Sequence, residues 1–71
     1  MNEKQQQVET LFVMSYSAAM ALKRVEEQFQ AWRTQNDLRL VSVSHNCVDT
    51  GTADEETRFL ATILVVAEPW S

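Results

Sequence analysis

Three stretches of this chain carry residue types that could do chemistry. Asp49-Thr50-Gly51 is the triplet that places a carboxylate for proton-sharing hydrolysis. That chemistry needs two carboxylates around one proton, which a symmetric dimer would supply. A chain of 71 residues with a long helical stretch does not suit the all-β framework of such a site. The triplet therefore reads as a hairpin turn built from Asp and Gly. His45 and Cys47 stand two apart on a strand-like run and share a face, as a nucleophile–base pair or two metal ligands would. A nucleophile also needs an orienting group and an oxyanion site, and neither is visible. One His and one Cys cannot close a structural zinc site without carboxylates or a second subunit, so the pair reads as structural and no metal is expected. Asp49, Asp54, Glu55 and Glu56 suit a hard cation, but their spacing is not that of a calcium loop; they read as a solvated acidic turn. No catalytic residue is assigned, and an enzyme is not expected.

The elements that position these residues follow from periodicity. Arg58 to Glu68 (RFLATILVVAE) is the most apolar run and ends at Pro69. It is rich in β-branched residues and short for a helix, so it reads as a strand. Phe59, Ala61, Ile63, Val65 and Ala67 share one face; Leu60, Thr62, Leu64 and Val66 share the other. A strand apolar on both faces belongs in the middle of a sheet covered on both sides. Residues 1–7 read as a polar tail. Residues 8–14 form a first strand, with Val8, Thr10, Phe12 and Met14 on one face. Ser15 or Ser17 caps a helix over 16–35, whose stripe is Ala18, Leu22, Val25, Phe29 and Trp32, flanked by Met20 and Ala21. Helical spacing makes Phe29 and Trp32 core residues rather than a stacking site. Residues 38–48 form a second strand, with Val41, Val43, His45 and Cys47 alternating with Leu40, Ser42, Ser44 and Asn46. Residues 58–68 form the third.

The fold class is thus a single α+β domain over 1–71, of order β-α-β-β. Its three-stranded, mostly antiparallel sheet runs 1-3-2, because the most apolar strand belongs in the centre, and one helix packs on one face. Nothing remains in the chain to cover the opposite face, so a homo-oligomer is the economical solution. Its expected interface is Leu60, Leu64, Val66 and Trp70, the last because a terminal aromatic is a frequent anchor. A small domain without disulfides or metal needs such a device.

Charge narrows the partners. The net charge is −4. Residues 1–39 carry five bases and five acids, whereas 40–71 carry only Arg58 against Asp49, Asp54, Glu55, Glu56 and Glu68. That balance argues against nucleic acid, which calls for a basic patch. No apolar run approaches a membrane span and no signal pattern is present, and one free thiol suits the cytosol.

The β-α-β-β order resembles the dodecins, small flavin-binding proteins that assemble as hollow dodecamers. The likeness covers most of the chain: a strand ending in Met14-Ser15, a helix from Tyr16, a strand at Leu38–Val48, an acidic turn at Asp49–Glu56 and a closing strand at Arg58–Glu68. The resemblance implies a flavin bound between subunits. The family's flavin-stacking tryptophan falls where this chain has Leu38 or Leu40, and its ring-edge glutamine where it has Leu60 or Ala61. The cofactor therefore stays unassigned. A short sporulation-associated family has a similar strand–helix–hairpin pattern. The expected function is a non-enzymatic, oligomeric small-molecule-binding protein. Its ligand would be planar, flavin- or nucleotide-like, and lined by Ser42, Ser44, His45 and Asn46. The alternative is a small acidic inhibitor or adaptor, of the kind phages and mobile elements encode, whose hairpin engages a basic protein surface.

Overall fold

In the computed structural model, residues 5–70 are described. Strand β1 (Gln7–Ser15) is followed by helix α1 (Ala18–Gln35), strand β2 (Arg39–Asp49), a short 3-10 turn (Glu55–Thr57) and strand β3 (Phe59–Glu68). β3 lies between the other two and runs antiparallel to both. The architecture is the α+β arrangement expected from periodicity, with sheet order 1-3-2. Of the expected tail, residues 1–4 lie outside the described residues, and Gln7 already pairs with Ala67 in the sheet.

α1 starts at Ala18 because Ser17 is extended and its side chain accepts the Met20 N–H at 3.2 Å, satisfying one of the free donors of the first turn. It stops at Asn36, whose backbone N–H and side-chain Nδ2 both donate to the Trp32 carbonyl, at 3.0 and 2.8 Å. The buried stripe is Ala21, Val25 and Phe29, packed on Ala61, Ile63, Val65 and Ala67 of β3. Trp32 joins it half-buried, its ring stacked on Phe29 at 6.3 Å between centroids.

Two local expectations are corrected. The stripe is rotated by one residue at its N-terminal end: Ala21 is fully buried, whereas Leu22 is exposed. Steps of four carry the face from Val25 back to Ala21, whose methyl group joins the core cluster. In β2, the pairing skips a residue between Leu40 and Ser42. Val41 is the extra residue of a β-bulge, which resets the alternation. Leu40 therefore opposes Ala67 and joins the core, while Val41, expected on the face of Val43, is exposed.

No helix among the described residues is long and apolar enough to cross a membrane.

Candidate functional site: the open face of the sheet

Cross-strand partners project to the same side of a sheet, so the register assigns every side chain to a face. On the side away from α1, β1, β3 and β2 align in four rows: Val8–Val66–Ser42, Thr10–Leu64–Ser44, Phe12–Thr62–Asn46 and Met14–Leu60–Val48. No described element covers them. Val8 and Phe12 are 64% and 60% exposed, and Met14, Leu64 and Val48 are exposed as well. Not one position in these rows is charged. A sheet face that meets only water normally alternates apolar inside with polar or charged outside; this one carries aliphatic, aromatic, hydroxyl and amide groups alone. Charge appears at the border, where Arg39 Nη1 meets Glu68 Oε1 at 2.7 Å.

The rows are graded across the sheet. β1 and β3 contribute most of the apolar groups, and β2 contributes the polar column Ser42, Ser44 and Asn46. Strand spacing and rise give the grid a plan area on the order of 400 Å². Seven of its twelve positions are apolar, so the apolar share is smaller than the largest patches on monomers, which are often functional.

The residues singled out in the sequence fall on both sides. Ser42, Ser44 and Asn46 share the open face with Leu60, Leu64 and Val66. His45 pairs with Ile63 and so projects to the helix side, as does Cys47 opposite Ala61. Trp70 lies beyond the grid, exposed, with its Nε1–H donating to Asp37 Oδ1 at 2.9 Å. Sequence reasoning does not assign the β1 column to a site, although the alternation of Val8, Thr10, Phe12 and Met14 is legible; their opposition to β3 completes the face.

Comparison of the chain with family models, curated proteins and solved structures finds no match. The geometry must therefore carry any functional reading.

The acidic hairpin is internally engaged. Asp49 Oδ1 accepts the Gly51 N–H at 2.9 Å, and its Oδ2 accepts from Arg58 Nε and Nη2 at 3.3 and 3.2 Å. These contacts hold its carboxyl below the ordinary value of 3.8, the Gly51 hydrogen bond most of all and then that of Arg58. Gly51 takes the positive φ of 72° that the turn requires. Asp54 accepts the Glu56 N–H at 3.0 Å and caps the 3-10 turn. Only Glu55 and Glu56 of the acidic stretch leave their carboxylates without such a role. Among the described residues, no group of three or more His, Cys, Asp or Glu is placed to hold a metal ion.

One cleft, of about 370 Å³, lies at the end of β1 and is lined by Met14, Ser15, Tyr16, Arg24 and Glu56. The Ser15 hydroxyl beneath it has no hydrogen-bond partner but is sealed from solvent. The other lining side chains, Met14, Tyr16, Arg24 and Glu56, are exposed.

Proposed function

We propose that the chain is a non-enzymatic binding protein that works as a homo-oligomer, with open sheet faces of neighbouring copies closing around a small planar ligand. The observation that carries this reading is the uncharged, uncovered face of four rows. Interface cores are depleted of charge and enriched in aromatic residues and Met, and this face has Phe12 and Met14 among its most exposed groups. Its area is about half of what a stable pair buries per partner. Two bare faces would make a weak pair, and a ligand between them adds the missing contact. The apolar columns suit the faces of a ring system, and Ser42, Ser44 and Asn46 suit its polar edge. The dodecin-like element order supports a flavin- or nucleotide-like ligand.

The test is native mass spectrometry of freshly purified protein, followed by absorbance of the supernatant after denaturation. The expected result is an oligomer with retained small-molecule mass. A Leu64→Glu variant should give folded, ligand-free monomer. A wild-type chain that is monomeric and ligand-free at micromolar concentration would overturn the reading.

A further inference from the structure

His45 and Cys47 project from the side of the sheet opposite the open face, so their role is independent of the ligand-binding function proposed for that face. β2 is an edge strand, and α1 packs chiefly on β1 and β3. The outer strip on the helix side is therefore incompletely covered: Cys47 is half-buried and His45 exposed. Neither side chain has a hydrogen-bond or ion-pair partner among the described residues; Cys47 packs against the margin of the apolar core, and His45 is exposed. Alternate strand positions lie about 6.7 Å apart. An imidazole and a thiolate on such positions can reach one metal ion between them.

Among the described residues of one chain, no third ligand stands at this point. A closed zinc site takes four nitrogen or sulfur ligands in a tetrahedron. Two copies supply two imidazoles and two thiolates, the full complement. The charges also match. Each thiol releases its proton to solvent on binding, and two thiolates neutralise one Zn²⁺. Binding exchanges two protons for one Zn²⁺, so the site itself is neutral and leaves the net charge of −4 on each chain unchanged. The free outer edge of β2 leaves room for the approach.

We propose that His45 and Cys47 form half of a Cys2His2 zinc site that a second copy of the chain completes. This contact is distinct from the open sheet face. A chain using both would have two different interfaces, and such chains assemble beyond a dimer.

The test titrates Zn²⁺ alone into the metal-free full chain carrying Leu64→Glu, which disables the open face, and reads native mass spectra. The expected product is two chains with one zinc and two fewer protons. Substitution with Co²⁺ should give a thiolate-to-metal charge-transfer band. His45→Ala and Cys47→Ser should each lower the apparent zinc affinity by more than roughly a hundredfold, beyond what loss of an outer-shell partner costs. His45 is exposed, so its alanine variant keeps the fold, checked by circular dichroism. One zinc per chain, uptake unchanged in either variant, or no uptake at micromolar metal would overturn the proposal. Failure of Leu64→Glu to change wild-type assembly in metal-free buffer would instead count against the open-face reading alone.

Discussion

Ile63 and Leu64 are neighbours on β3 with the same number of carbon atoms, yet Ile63 is 1% exposed and Leu64 42%. The contrast follows the alternation of the strand: Ala61, Ile63, Val65 and Ala67 are buried under α1, whereas on the other face Leu60, Thr62 and Val66 are half-buried and Leu64 is exposed, with no described element over them. An apolar group under the helix stabilises the monomer. An apolar group on the open face does little for the monomer and becomes useful only when another surface arrives. The two faces therefore separate residues that make the fold from residues left to the assembly proposed above.

That separation can be broken in order of expected effect. Ile63→Ala leaves a cavity under the helix and should cost about 3 kcal/mol of stability, read as a lower urea midpoint. A monomer fully resistant to this change would mean that α1 does not hold the sheet as described. Leu64→Glu should leave the monomer's urea midpoint nearly unchanged and weaken assembly by about 2 kcal/mol, the scale of an interface anchor, or roughly thirtyfold in dissociation constant. Sedimentation velocity across a concentration series measures this, and an unshifted distribution contradicts it. Ser17→Ala removes the cap that starts the covering helix and should cost about 1 kcal/mol; the loss should appear as faster amide exchange in the first turn of α1.

The smallest effect lies at the hairpin, on neither face's interior. The Asp49 carboxyl is held below its ordinary value of 3.8 by Gly51 and Arg58. Its folded-state pKa is depressed, so its contribution to stability is present above the unfolded value and is lost as the pH falls through the folded one. Asp49→Asn should therefore lower stability slightly near neutrality, and its difference from wild type should shrink as the pH falls below about 4. Its exposure to solvent and salt keeps the effect small. A stability equal to that of wild type near neutrality would show that the Gly51 and Arg58 contacts do not persist in solution.

The two-sided apolar pattern of Arg58–Glu68 is enough to place β3 in the middle and to leave one face uncovered. That inference is strong because a period of two has no other packing solution in so short a chain. The bulge at Val41 is not legible. Leu40, Val41 and Val43 are all apolar, and only the pairing with Ala67 and Val66 decides which of them is the extra residue. Ala21 is undervalued against Leu22 for a related reason: periodicity scores hydrophobicity, whereas close packing of α1 on β3 leaves room for a small group. Within the site, Leu60, Leu64 and Val66 are readable from β3 alone. The share of Val8, Thr10, Phe12 and Met14 needs the knowledge that β1 lies beside β3 in the observed register. The identity of the proposed ligand is not legible, because the positions where the dodecin likeness would place stacking and ring-edge groups hold Leu38 or Leu40 and Leu60 or Ala61.

Every strand-to-strand hydrogen bond in this sheet involves β3. During synthesis, then, β1 and α1 leave the ribosome with no strand for β1 to join. β2 finds β3 locally through the hairpin, but Leu11 must wait for Ile63. Throughout that interval a free edge bearing Val8, Leu11, Phe12, Val13 and Met14 is on offer to any other nascent chain. Slowing translation between β2 and β3 should lengthen that exposure and raise the yield of aggregate, while the completed protein, once folded, would show no trace of the delay.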